Sequence, residues 1–361
     1  MTTTDLPPSD LHPDARLTSS RRKIRAPFVL DDSMRFYSPQ TNVEALEHPR
    51  VRALTERVRD EWTPAPVPTA GSGTRLALLV PCTKYKPYVT SREHRGINGA
   101  LLAAGWRPVR GYDGPVALLS VLDPGEDPDV LNTAPLERDG VVLDRFVISE
   151  PLALVPYELT MYVDGEQSPA TSYDDPGLFE ARGTSISPER PDCTATQRAD
   201  GTWAWGPAER SAYVAMHNAM ADTLSTALGR LSPHYRAIVS WVAPGLTHRS
   251  FLADAATRRT DSIPSTRMGL DGRAMALRGV LDALPGAVEI LPTKEQQGAA
   301  REQLATRLAA EGRASGPGSV RAVYARGDGH DTPLGLPELT AMLVERLDRL
   351  VAATASEPGA A

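Results

Sequence analysis

The chain has 361 residues, 41% of them hydrophobic and 23% charged, with a formal net charge of −6; that is enough apolar material for one large core or two medium ones. The acidic balance argues against a broad electrostatic grip on nucleic acid, and two cysteines, Cys82 and Cys193, form neither a disulfide framework nor a metal-ligand spacing. Met1 to Asp14 is polar and no run approaches about 18 apolar residues, which excludes a signal peptide and a membrane helix and implies a cytoplasmic protein.

Residues 1–40 read as a disordered arm, mixing Thr, Ser, Pro and Asp with the basic cluster Arg21-Arg22-Lys23. Residues 41–73 read as a helical lead-in and linker: Val43, Leu46, Val51, Leu54 and Val58 recur at helical spacing, and Pro64 to Gly73 is rich in Pro, Gly, Ser and Thr. The domain proper is expected over 74–355. It opens with Leu76-Ala77-Leu78-Leu79-Val80, a short apolar run without alternation that suggests a strand buried on both faces. A helix is expected from Arg92 to Ala104, with Ile97 and Leu101 on one face and Gly105 at its end.

Further strands are expected at Val116 to Leu122, Arg145 to Ser149, Ala237 to Val242, Ala287 to Leu291 and Ser319 to Tyr324, and helices at Ala208 to Gly229, Leu270 to Leu284, Lys294 to Ala310 and Leu336 to Thr354. Alternation of strands and helices predicts an α/β protein, a three-layer αβα arrangement with a mostly parallel central sheet. The long stretch from Val163 to Pro207 has little periodicity; its Trp203 and Trp205 could cover a pocket or pack on the surface.

Chemistry concentrates in Pro81 to His94, just past the first core strand, where open α/β sheets bind ligands. Fourteen residues hold a thiol (Cys82), two ammonium groups (Lys84, Lys86), two phenols (Tyr85, Tyr88), hydroxyls (Thr83, Thr90, Ser91) and an imidazole (His94). Plainer readings exist for each: Thr90 and Glu93 fit a capping box, Cys82 fits a small core residue, and the lysines fit a solvated surface. Their co-occurrence at one strand end points to a site. Gly327 to Thr332 could bring His330 and Asp331 to the same sheet edge, and His248-Arg249 could touch a phosphate or carboxylate; His217 and His234 read as structural.

This segment resembles the motif P-C-S-x-x-K-P-Y-S-x-S-x-S-H of archaeosine synthase and archaeal tRNA-guanine transglycosylase relatives, in their accessory domain similar to the uracil-DNA glycosylase fold. The matching positions are Pro81, Cys82, Lys86, Pro87, Tyr88, Ser91 and His94. Val147 to Leu159 is similar to the family's I-S-P-L-G-L-V-P-R-E-L-E, Tyr173-Asp174 matches a Tyr-Asp pair, and His48-Pro49-Arg50-Val51 resembles an upstream H-P-E-V. The likeness covers roughly residues 45 to 180. It departs at Arg92, at Glu150 (inserted after Ser149), at Ala153 (for glycine) and at Tyr157 (for arginine). No segment reads as a transglycosylase barrel or an RNA-binding tail.

The resemblance implies a transferase adding an amine to the nitrile of a 7-deazaguanine base, in tRNA modification or a related deazapurine pathway. Cys82 would attack as thiolate, Lys86 would stabilise negative charge and His94 would shuttle protons. Lys84, Tyr88, Ser91, Ser149, Glu158 and Asp174 would bind the substrate, Tyr88 by stacking and the two carboxylates at the guanine-like edge. No cofactor and no metal are expected. The substrate would be a small molecule or RNA-borne, with tRNA or a transglycosylase-like subunit as partner. A non-catalytic nucleobase-binding subunit and a base-excising glycosylase-like enzyme are the alternatives.

Overall fold

The computed structural model describes residues 11–67, 73–178, 180, 183–330 and 332–355. Seven strands form the main sheet: β1 (Arg75–Pro81), β2 (Arg107–Pro108), β3 (Leu136–Arg138), β4 (Val141–Ser149), β5 (Ala153–Pro156), β6 (Ala237–Trp241) and β7 (Glu289–Leu291). Their order is β7-β6-β1-β4-β3-β2, with β5 also paired to β4. The run expected to be doubly buried is so: every residue of β1 after Arg75 is buried, as are all nine of β4. β1 runs parallel to β4 and to β6, with Leu76 level with Leu143 and Ala237, and β6 runs parallel to β7. β2, β3 and β5 add antiparallel pairings. The protein is therefore mixed α/β with a mostly parallel central sheet.

The helices are α1 (Pro13–Lys23), α2 (Pro39–Ala45), α3 (Pro49–Glu56), α4 (Arg92–Ala103), α5 (Pro207–Leu231), α6 (Thr247–Leu252), α7 (Ala255–Asp261), α8 (Val280–Ala283), α9 (Lys294–Ala310), α10 (Pro317–Ala325) and α11 (Pro337–Ala355). α4 packs on α11, which packs on α9, while α5 packs on α2, α6 and β5. No helix among the described residues is long and apolar enough to cross a membrane.

Strand order fixes where a crevice must open. From β1 the chain travels through α4 to β4 on one side; from β6 it travels to β7 on the other. Outgoing connections that diverge leave a gap beyond the carboxyl ends of β1 and β6.

Several expectations change. Of the arm expected to be disordered over 1–40, residues 1–10 lie outside the described residues, but the chain from residue 11 is packed. Its polar composition hid the reason: the buried Arg16 guanidinium donates to the carbonyls of Tyr37 (3.2 Å), Thr184 (2.5 Å) and Ile186 (2.5 Å), and Ile24, Phe28, Met34 and Phe36 are buried. The helical lead-in breaks before Pro49, whose ring disfavours helical backbone at His48, found at ψ 127°. Residues 68–72 of the linker lie outside the described residues.

The apolar runs Val116–Leu122 and Ser319–Tyr324, read as strands, are a 3₁₀ turn and part of α10. Short apolar runs carry no period to separate the two states, and Pro317 starts α10 in the place where proline suits a helix. Leu270 to Leu284, read as a helix, is the second half of a hairpin (Thr266–Met268 with Ala274–Ala276) followed by α8.

Candidate active site

Cys82 extends β1 by one rung: its amide donates to the Ile148 carbonyl at 2.9 Å. That places it beside the end of β4, where Ser149 and Glu150 follow. Across the crevice, Gly245 (φ +88°) turns the chain out of β6 into α6, which carries His248. Arg249 holds that turn in place. It donates to the carbonyls of Val242 (2.8 Å) and Pro292 (3.1 Å) and pairs with Asp261 at 2.6 Å. Arg249 is therefore a scaffold residue, not the anion-binding partner of His248 expected from their adjacency.

Three strand ends thus bring Cys82, Glu150 and His248 together. Cys82 Sγ lies 3.3 Å from His248 Nε2 and 3.7 Å from Glu150 Oε2, and His248 Nε2 lies 3.2 Å from Glu150 Oε2. Glu150 and His248 are buried and Cys82 is partly open. Burial disfavours the Glu150 charge, but the His248 imidazole outweighs it and holds the carboxyl below its usual range. Burial likewise works against a charged His248, yet Glu150 and Cys82 raise it well above an ordinary histidine.

These groups line a cavity of about 210 Å³, below the roughly 300–1,000 Å³ that drug-sized ligands occupy. Lys84, Lys86, Tyr173, Asp175, Glu93 and Thr332 line the rest. Lys86 Nζ donates to the Thr83 carbonyl at 2.6 Å and lies 4.5 Å above the Tyr173 ring. Its loop is gripped by the N-terminal arm: Lys86 N donates to the Lys23 carbonyl (3.0 Å) and Arg25 N to the Lys86 carbonyl (2.8 Å). Asp175 is pushed up to about 7 by burial and by the Glu150 charge. Glu93 turns inward and accepts from the Thr332 hydroxyl. Thr332 comes from the Gly327–Thr332 loop, so that loop does reach the sheet edge; His330 Nδ1 contacts the Arg92 carbonyl at 3.1 Å, and Asp331 lies outside the described residues.

Of the expected residues, Cys82, Lys84 and Lys86 line the cavity. His94 does not. It is sealed beneath β1, its Nε2 donating to the Pro81 carbonyl (2.9 Å) and its Nδ1 accepting from the Tyr157 hydroxyl (2.7 Å). Burial lowers it to about 4. Tyr157, the residue in place of the family's arginine, stacks parallel to it at 5.8 Å. Tyr88 and Ser149 lie one layer below the cavity, sharing hydrogen bonds with Tyr173 (Tyr88–Ser149 2.9 Å, Tyr88–Tyr173 3.0 Å, Ser149–Tyr173 2.5 Å). Ser91 caps α4, accepting from His94 N at 3.1 Å; Thr90, expected in that role, bonds the Pro87 carbonyl instead.

Asp174 faces the arm, bound to Ser20 (2.6 Å) and Lys23 (2.9 Å). Glu158 pairs with Arg110 at 3.0 Å, in a different hollow beside Trp62 and Thr133. Trp203 and Trp205 do not line the cavity; Trp205 Nε1 donates to the Ser185 carbonyl at 2.9 Å.

Sequence reasoning missed Glu150, Asp175 and Glu93. Each was in view but one step off: Glu150 as an insertion after Ser149, Asp175 beside Asp174, Glu93 as a capping residue. His248 was singled out for a different task. Comparison with protein-family models, with curated proteins and with solved structures finds no match for this chain.

Proposed function

We propose that the cavity at the ends of β1, β4 and β6 is the active site of an archaeosine synthase-like transferase that adds an amine to the nitrile of a 7-deazaguanine base, in tRNA modification or a related deazapurine pathway. The observation that carries this reading is a small cavity lined by the Cys82–Glu150–His248 corner and by further carboxylates. The resemblance of Pro81–His94 to the family motif supports it, as does the division of helices into two groups, which a three-layer, uracil-DNA glycosylase-like domain requires. Two free thiols, Cys82 and Cys193, suit a cytoplasmic setting.

In the reaction the amine lone pair forms a C–N bond to the nitrile carbon, one C≡N π pair moves to nitrogen, and a proton passes from the amine to that nitrogen; nothing leaves. Charge develops on the nitrile nitrogen, and the Cys82–Glu150–His248 corner is where the cavity can meet it. Asp175 and Glu93 replace Asp174 and Glu158 as acceptors for the guanine-like N–H edge. Lys86 and Tyr173 position the ring. Arg25, stacked 5.0 Å over Tyr85, and Arg92 line a neighbouring groove, a basic rim of the kind RNA phosphates meet.

The test is mass spectrometry of 7-cyano-7-deazaguanine incubated with the protein and candidate amines. An amidine whose mass is the sum of base and amine is expected, and is lost in Cys82→Ala and Lys86→Ala. Wild-type turnover in both variants would reject the site. A thermal shift with the base but no product with any amine would favour the nucleobase-binding subunit instead.

A further inference from the structure

We propose that Cys82, Glu150 and His248 form a divalent-metal site best matched to zinc, with a fourth coordination position facing the cavity. This rests on the reading of the cavity above and supplies the cation that reading needs.

The donor geometry comes first. The three atoms Sγ, Oε2 and Nε2 are 3.2–3.7 Å apart. A single point about 2 Å from all three follows from these edges, and zinc bonds run at roughly 2.0–2.2 Å to nitrogen and oxygen and about 2.3 Å to sulfur. The slightly longer edges are those involving sulfur.

A catalytic Cys–His–acid relay would look different. In a relay the acid holds one ring nitrogen while the nucleophile meets the other. Here Glu150 and Cys82 both approach Nε2, and His248 Nδ1 has no hydrogen-bond partner among the described residues. One N–H shared between two acceptors bonds each of them weakly, and no acceptor holds the other ring nitrogen as a relay requires. Three donors aimed at one point is coordination geometry.

The donor set also selects the ion. Thiolate and imidazole are soft or borderline ligands that favour zinc over magnesium or calcium. Thiolate and carboxylate together neutralise a 2+ charge. Three protein ligands with one open position distinguish catalytic zinc from the closed four-ligand structural sites. The open side is defined because all three residues line the same cavity. Their rigidity is built in: Cys82 is a strand rung, Glu150 directly follows β4, and Arg249 pins the α6 turn.

At that position the ion would bind the nitrile nitrogen and stabilise the C≡N electron pair that moves onto that nitrogen as the amine adds, acting as a Lewis acid. The amine proton then moves to the same nitrogen. Cys82 is a ligand in this scheme and makes no bond to carbon.

The full chain, stripped with a chelator and freed of it, is titrated separately with Zn²⁺ and with Co²⁺. One equivalent of each is expected. Cobalt should show the visible bands of a tetrahedral ion and a near-ultraviolet thiolate charge-transfer band. Cys82→Ser should lose the charge-transfer band, and Cys82→Ser, Glu150→Gln and His248→Ala should each weaken binding by more than about 100-fold, since even residues behind a metal's ligands cost roughly 10–100-fold; Cys193→Ser should change nothing. Wild-type protein that binds no equivalent, or binds cobalt without a thiolate band, overturns the proposal whatever the variants do. So does unchanged affinity in a folded Cys82→Ser protein. Amidine formation by metal-free protein would leave the transferase reading standing and remove the metal. Stoichiometric metal without nitrile turnover would keep the metal site and remove the transferase.

Discussion

His248 Nε2 lies 3.3 Å from Cys82 Sγ although 166 positions separate them in the chain. The contact spans the gap between β1 and β6, and Glu150 closes it from β4. Its worth to the fold is measurable. Glu150 and His248 are both buried, so His248→Ala leaves a carboxylate without its countercharge, which costs about 3–5 kcal/mol when a buried pair is broken from one side. Adding Glu150→Gln to His248→Ala should recover part of the loss. Urea unfolding midpoints of the two singles and the double give the coupling; strict additivity would mean the pair is not energetically linked.

His94 should stay neutral through the range in which an ordinary histidine titrates. Burial lowers it to about 4, below the usual 6.5 of a histidine. The unfolded chain takes up that proton as pH falls through about 6.5, the folded protein only near 4, so this group removes about 1.4 kcal/mol of stability per pH unit across that window. Asp175, raised to about 7, works with the opposite sign: its stability cost is absent at low pH and grows as pH rises from the usual carboxylate range toward 7. Ring-proton NMR assigned with a His94→Gln variant checks the first directly; a titration near 6.5 would show that the imidazole is not sealed.

Arg145 is a heavily committed buried cation behind the site. It donates to Asn98 Oδ1 (2.7 Å) and the carbonyls of Asn132 (2.8 Å) and Ala134 (2.6 Å), and lies 4.5 Å over the Tyr157 ring. Burial lowers it to about 10. Arg145→Met removes the donors and strands three buried acceptors, at about 1–3 kcal/mol each before relaxation. A loss of at least about 3 kcal/mol in chemical denaturation is expected, together with a shifted His94 signal, because Tyr157 loses its support.

Deleting residues 1–25 should weaken the cavity as well as the fold, since the buried Arg16 and Ile24 are lost with it. The Lys86 loop would lose its backbone bonds to Lys23 and Arg25, and Asp174 its partners Ser20 and Lys23. Two lost hydrogen bonds of about 1 kcal/mol each correspond to roughly tenfold or more in affinity for 7-cyano-7-deazaguanine, read by calorimetry, with faster tryptic cleavage after Lys84. Unchanged affinity would show that the arm does not shape the cavity.

The sequence made much of the scaffold legible. Leu76–Val80 showed β1 because doubly buried strands lack alternation, and Lys294–Ala310 showed α9 to the residue because a capping pair, Thr293 and Gln296, marks its start. Part of the candidate site was visible in Cys82, Lys84 and Lys86 because one β–α junction supplies them. The rest was not. Glu150 and His248 meet Cys82 only through parallel pairing and strand order, which are relations between distant segments with no local signature. His94 misled for a related reason: its position in the motif says it is near Pro81, and it is, but on the sealed side of the strand.

Because the corner draws one donor each from residues 82, 150 and 248, severing the chain in the exposed stretch around Thr196–Thr202 would leave two donors on one fragment and one on the other. Neither piece alone would carry all three donors; only their reassociation through β1 and β6 would restore the set. Restoring the Cys82–His248 contact would therefore require the two halves to pair.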